Sequence, residues 1–117
     1  MKNEEIEKCF VYNASVEWEQ LDDKIRRKVM SYDKDLMLVK VEFKAGGIGA
    51  VHQHPHVQMT HVDSGVFEIE VEKEKKILKA GDVFHIPSNL WHGAVCIEDG
   101  VLIDIFNPMR EDFIKSN

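Results

Sequence analysis

The sequence predicts one all-β domain, built as a sandwich or a barrel. Three observations predict it. The chain is 117 residues long, the length of a single domain, and a domain this size buries roughly 65% of its unfolded surface, enough for one core. From residue 36 the apolar residues recur with period two, and clusters of Gly, Pro, Asn, Asp and Ser break them at roughly 8–12-residue spacing, the signature of short strands joined by turns. No helix-length period, internal repeat, linker or low-complexity run interrupts the chain after that point. Apolar residues make up 44% and charged residues 31%, a balance that excludes disordered, collagen-like and coiled-coil chains.

The elements follow in order. Residues 1–35 form an N-terminal strand or extension packed on the barrel. Phe10 to Tyr12 start a strand. Val16 to Lys28 carries Trp18, Leu21 and Ile25 at spacings of three and four, which suits a short helix, while Ile25 to Met30 suits an extended edge equally well. Residues 36–106 form the barrel. Leu36 to Phe43 is a strand ending at Ala45-Gly46-Gly47. Val57 to Val62 is the next, broken by Asp63-Ser64-Gly65. Val66 to Glu72 alternates cleanly, with one face buried and one wet. Lys73-Glu74 turns the chain into Lys75 to Lys79, and Ala80-Gly81-Asp82 turns it again. Val83 to Ile86 stops at Pro87, which donates no ladder hydrogen bond. Trp91 to Ile97 and Val101 to Phe106 are the last strands, split by Glu98-Asp99-Gly100. Residues 107–117 are a polar tail or short helix after Asn107-Pro108.

Charge narrows the function classes. Lys plus Arg is 15 and Asp plus Glu is 21, a net charge of −6. Such a surface repels phosphate backbones and anionic membranes, so neither nucleic acid nor membrane is an expected partner. No stretch approaches the roughly 20 apolar residues of a bilayer span. The first ten residues carry acids where a signal peptide is basic, so a cytoplasmic location is expected. Cys9 and Cys96 are then read as free thiols. Open sheet edges make a homodimer the expected assembly, with apolar residues of the N-terminal segment, Trp18 among them, as contact candidates.

Six histidines stand at 52, 54, 56, 61, 85 and 92. His56, His61 and His85 read as solvated or hydrogen-bonded residues. His52 and His54 differ, because positions i and i+2 of an extended chain share a face. Two inward imidazoles need a partner, and a metal ion provides one. Gln58 keeps the same parity, and His92 opens a later strand just past a Pro-Ser-Asn turn. The Gly46-Gly47-Ile48-Gly49 string reads as a plain turn, since no Lys-Ser/Thr or helix follows to make it a phosphate loop.

Near the C-terminus, Asp104 interrupts an apolar strand. Alternation sets Leu102, Asp104 and Phe106 on one face. If that face lines the interior, Asp104 is a proton-transfer group beside the metal; otherwise it is a solvated edge residue. Arg110 is either a surface cation near Glu111-Asp112 or a guanidinium fork for a carboxylate.

The spacing resembles the cupin family. Its first motif is Gly, five residues, His-x-His, three or four residues, Glu, six residues, Gly, and this chain reads Gly46, His52-Gln53-His54, Gln58, Gly65. Its second is Gly, five residues, Pro-x-Gly, two residues, His, three residues, Asn, and this chain reads Gly81, Pro87-Ser88-Asn89, His92, Cys96. The resemblance implies a jelly-roll barrel, a double-stranded β-helix, with His52, His54, Gln58 and His92 as metal ligands. Three departures stand out. Gln58 replaces Glu and ligates through a neutral oxygen, leaving a dicationic site suited to anions. Asn89 replaces Gly, and both tolerate a left-handed turn. Cys96 replaces Asn and reads as a small core residue.

Longer strings, His52 to Gln58, Gly81 to Pro87, Trp91 to Ala94 and Asp104 to Phe113, are similar to the KdgF-type pectin-degradation cupins. That resemblance implies an isomerase that converts 4,5-unsaturated monouronates from pectin or alginate into linear 4-deoxy-5-keto uronates. It implies Asp104, Phe106 and Arg110 as catalytic residues, with Arg110, Phe106 and Gln58 binding the substrate, a small anionic sugar. The implied cofactor is one divalent transition metal, Zn, Ni, Mn or Fe, because no redox step is required. Two alternatives stay open on the same scaffold: a metal-dependent dioxygenase and a non-catalytic sugar-binding cupin.

Overall fold

The structure, a computed structural model, describes residues 2–114. It is nearly all β. Eight strands run β1 (Glu19–Gln20), β2 (Ile25–Tyr32), β3 (Met37–Phe43), β4 (Ile48–His52), β5 (Val57–Val71), β6 (Glu74–Lys79), β7 (Val83–Ile86) and β8 (His92–Asn107). Among the described residues, one helical turn, α1 (Asn3–Glu7), and two 3₁₀ turns, Asn13–Ser15 and Glu111–Phe113, complete the elements. Every strand pairing is antiparallel, in the order β1-β2-β3-β8-β5-β6, with β4 on β8 and β7 on β5.

Two long strands divide the molecule into layers. The first half of β5 pairs with β7 and with the second half of β8, which also carries β3. The second half of β5 pairs with β6 and with the first half of β8, which also carries β4. Here the structure corrects the sequence reading. The breaks at Asp63-Ser64-Gly65 and Glu98-Asp99-Gly100 are bends inside continuous strands, where the β5–β8 register shifts. Gly65 takes φ +85°, and the Val101 N–H donates to Ser64 Oγ at 3.1 Å, replacing a ladder bond. Turn residues therefore serve as bulges that carry a strand from one layer to the other. The backbones pack closely there: a Cβ on Gly100 would sit inside the Ser64–Gly65 backbone. Gly100→Ala should lower stability by about 1–3 kcal/mol or more, read as a reduced urea midpoint with an unchanged m-value.

The N-terminal segment also departs from expectation. Phe10 to Tyr12 forms no strand, and the helical alternative over 16–28 does not occur. Ile25 onward is the extended edge, because it pairs along the whole of β3. The Trp18, Leu21 and Ile25 spacing reflects other contacts: Trp18 lies under the Arg26 guanidinium at 4.3 Å and the Lys28 ammonium at 4.5 Å. Lys28 is buried, and its Nζ donates to the carbonyls of Asn13 at 2.9 Å and Val16 at 3.4 Å, tying the leading segment over β2. The plain turn expected at Gly46–Gly49 is shorter than the sequence suggests, because Ile48 and Gly49 already pair with Val95 and Ala94 of β8 as the start of β4. Of the tail, residues 115–117 lie outside the described residues, and 111–113 form a single 3₁₀ turn.

The core lies between the layers. Met37, Val39, Val41 and Phe43 alternate inward on β3, and Phe43 meets the fully buried Phe67 edge-on at 5.2 Å. Cys96 joins them as a free thiol that burial pushes up from its ordinary value, so it behaves as a small core residue; Cys9 is free and exposed. No helix among the described residues is long and apolar enough to cross a membrane.

Candidate metal centre and its cavity

β4 ends at His52 and β8 begins at His92, and the two residues are cross-strand partners. His54 sits in the link to β5. Asn89, at φ 66°, donates its N–H to the His54 carbonyl at 2.8 Å, so the Pro87–Asn89 turn fixes the backbone at His54. The three rings converge: centroids lie 4.5 Å apart for His52–His92, 4.7 Å for His54–His92 and 5.4 Å for His52–His54. One ligating atom from each falls within 4.8 Å of the others.

Their hydrogen bonds set the tautomers. Nδ1 of His52 faces the Ala50 carbonyl, Nδ1 of His54 the His56 carbonyl, and Nδ1 of His92 the Leu90 carbonyl, each at 2.9 Å. A carbonyl only accepts, so each Nδ1 carries the proton and each neutral ring keeps its lone pair on Nε2. Burial pushes the pKa of His92 down to about 4 and lowers that of His54, with Arg110 adding to the effect on His54. Both are neutral at pH 7. Nε2 of His92 is buried with no hydrogen-bond partner. Nε2 of His54 lies 3.1 Å from Gln58 Oε1, and with the His54 proton on Nδ1 those two atoms are both acceptors.

Gln58 cannot escape by flipping its amide. Its Nε2 donates to Thr60 Oγ1 at 2.9 Å and to Asp104 Oδ1 at 3.4 Å, while Thr60 Oγ1 donates to the same Asp104 oxygen at 2.6 Å. The amide oxygen is thereby aimed at the histidines. An orphaned imidazole nitrogen and two facing acceptors are costly in a dry site and are satisfied together by a cation. The donor set of three neutral imidazoles and one amide oxygen fits a divalent transition metal.

Asp104 lies on the inner face, opposite Thr60 on β5 and Val39 on β3. Burial pushes its pKa up to about 6, against the pull of the Thr60 hydroxyl, Arg110 and the Gln58 amide. Phe106 pairs across from Gln58, and its ring meets His54 at 5.8 Å. Arg110 stacks over Phe106 at 5.2 Å and Phe113 at 4.4 Å. Its Nε and Nη2 already hold Asp112, at 3.0 and 2.8 Å. So the fork read from sequence as a carboxylate clamp grips a carboxylate of its own chain.

A cavity of about 320 Å³ joins these groups, lined by His52, Gln58, His92, Asp104, Phe106 and Arg110. That is the small end of the range for ligand pockets and suits a single sugar. Sequence reasoning missed three of its surroundings. Arg27 lines the cavity, Phe113 closes it beside Arg110, and the fully buried Thr60 orients Gln58 and Asp104. Strand parity carried two of these signals: Thr60 follows Gln58 by two, and Arg27 lies between Ile25 and Val29. Of the other histidines, His61 and His85 are exposed as read, whereas His56 is half-buried with its Nδ1 lacking a partner.

Comparison with known proteins agrees with this geometry. The cupin domain family matches residues 39–106. The pectin degradation protein KdgF of Dickeya dadantii (strain 3937) is 48% identical over 99 residues, covering 83% of this chain and 90% of that one. The structure of KdgF from Halomonas sp. superposes with a TM-score of 0.87 at 41% identity, covering 90% of this chain and 97% of that one. An RmlC-like cupin from Shewanella frigidimarina NCIMB 400 gives 0.87 at 40% identity, over 90% and 95%. With the two histidine motifs on facing strand ends and this likeness along most of its length, the chain belongs to the cupin family, among the KdgF-type pectin-degradation cupins.

Proposed function

We propose that the protein opens cyclic 4,5-unsaturated monouronates, from pectin or alginate, into linear 4-deoxy-5-keto uronates, using a divalent metal held by His52, His54, Gln58 and His92. The observation that carries this reading is a carboxyl group, Asp104, joined through Gln58 and Thr60 to the metal-binding face of a sugar-sized cavity. A proton carrier beside the metal-binding face favours proton-transfer chemistry over simple sugar binding, and oxygen uptake by the metal-loaded protein would instead favour a dioxygenase.

A divalent ion held by His52, His54, Gln58 and His92 would supply positive charge that stabilises an enolate. The residues do the rest. Ring opening passes the proton of the C1 hydroxyl to solvent water, breaks the bond between C1 and the ring oxygen, and leaves an aldehyde at C1 and an enolate over C4 and C5. C4 then takes a proton and C5 becomes a ketone, so one proton is lost, one is gained and no electrons leave. Asp104 supplies the C4 proton. Its Oδ1 is occupied by the Thr60 and Gln58 donors, which leaves Oδ2 to carry it. Phe106 packs the sugar and excludes water. Arg110, neutralised by Asp112, offers its remaining N–H groups to the substrate carboxylate.

The conjugated alkene of the substrate absorbs in the ultraviolet, and ketonisation destroys it. Purified protein should accelerate loss of that absorbance, and His52→Ala should abolish the acceleration. No acceleration with either the galacturonate-derived or the mannuronate-derived sugar rejects the assignment.

A further inference from the structure

Arg27 lines the same cavity as the histidines, and the reaction just described gives it no task. It enters from the barrel's inner face. On β2 it lies opposite Val41, which in turn lies opposite Leu102, and both of those are buried. Its neighbours of like parity are Ile25, in the core, and Val29, packed against it. Its side chain is only 17% exposed. An arginine on an apolar inner face is costly unless its donors are used.

Part of that demand is met. Nε donates to Glu19 Oε1 at 3.0 Å, which balances the charge. The guanidinium carbon lies over the Phe113 ring at 3.8 Å, and that of Arg110 over the same ring at 4.4 Å. A guanidinium has five N–H donors, so donors remain beyond Nε. The two arginines stand at different depths. Arg110 stacks over Phe106, which pairs with the metal-site residue Gln58, whereas Arg27 is level with Val41 and Leu102, two inward steps along β8 from Phe106. Arg110 is at the metal end of the cavity, and Arg27 enters it from farther along the barrel. A second carboxylate there would meet Glu19, whereas neutral hydroxyl oxygens accept hydrogen bonds without adding charge.

Resting on the reaction proposed above, we infer that Arg27 is a specificity-determining residue that donates hydrogen bonds to the sugar hydroxyls at the end away from the carboxylate. The C2 hydroxyl, across the ring from the carboxylate-bearing C5, is the principal acceptor.

Steady-state kinetics of the metal-loaded protein test this with the unsaturated monouronate and its 2-deoxy analogue. Arg27→Met should raise KM about 10- to 100-fold with kcat within about threefold, as expected for loss of a charged hydrogen bond felt equally in ground and transition states. Arg27→Lys should recover part of the loss. With the 2-deoxy analogue, wild type and Arg27→Met should differ less than about threefold, a dependence on substrate that a merely structural role would not produce. If Arg27→Met fails to fold, Arg27→Lys carries the test by the same comparison. An unchanged KM overturns the inference, as does an equal penalty on the 2-deoxy analogue. A wild type that turns the substrate over beside an Arg27→Met of unchanged KM sinks the inference alone, and an inert wild type sinks the reaction and the inference together.

Discussion

Replacing Asp104 by Asn lowers kcat by about a hundred- to ten-thousand-fold, the range for removing a positioned proton donor, and leaves metal content intact. The geometry makes this substitution informative. Asn keeps an acceptor oxygen for Thr60 Oγ1 and Gln58 Nε2, so the amide of Gln58 stays aimed at the histidines. Rapid-quench or ultraviolet kinetics read the loss, and elemental analysis reads the metal. A variant with near-wild-type kcat removes Asp104 from the chemistry. The pH dependence carries a second check. The protonated fraction of Asp104 falls as pH rises through about 6, and a bound dication draws that midpoint lower, so the wild-type rate declines toward alkaline pH and the Asn variant lacks that limb. Stability of the metal-free protein carries two opposing pH effects. Asp104 titrates near 6 when folded and 3.8 ordinarily, so the folded state binds the extra proton and gains stability as pH falls across that window. His92 titrates near 4 when folded and 6.5 ordinarily, so stability is lost over nearly the same window. In the wild type the two oppose each other; Asp104→Asn leaves the histidine loss uncovered, and its melting temperature should fall more steeply between pH 6.5 and 4.

How far the site is legible from sequence depends on range. Strand parity sets His52 beside His54 and Asp104 beside Phe106, because alternation is a local consequence of pleating. The turn before His92 is local too, and Asn89 adopts the left-handed backbone expected of it. The failures are non-local. Residues 63–65 and 98–100 carry strong turn composition, yet they face each other across β5 and β8, and that mutual pairing turns two breaks into one bend. Ile25 onward reads as helix or strand with equal force until the edge of β3 is there to pair with it. Arg110 has the right side chain for a carboxylate, but its choice of Asp112 depends on how the 3₁₀ turn at 111–113 folds back. Thr60 and Arg27 were missed for another reason. Each sits at an inward parity, but a threonine in a strand raises no alarm, and Arg27 looks inward only once β2 is known to be a strand.

Removing the metal should lower the melting temperature by about 10–20 °C and abolish activity, both reversed by adding back a divalent ion. The magnitude follows from linkage. An ion present at about a thousand times its Kd stabilises the fold by about 4 kcal/mol, and each kcal/mol shifts the midpoint of a domain this size by roughly 4 °C. The direction follows from the donor atoms. Stripped of a cation, Nε2 of His54 and Oε1 of Gln58 present lone pairs to each other at 3.1 Å, and Nε2 of His92 is buried with nothing to accept from. Neither imbalance relaxes cheaply: the Nδ1 protons are committed to backbone carbonyls, and the Gln58 amide is held by Thr60 and Asp104. Protonating the rings instead would place cations within 4.8 Å of one another, a short distance from Arg110. Differential scanning calorimetry with and without chelator measures the shift, and His92→Ala supplies the control, since it should melt at nearly the same temperature in both conditions. A chelated wild type that melts with the untreated protein would mean that the three imidazoles hold no ion, and the orphaned nitrogen of His92 would then need another partner.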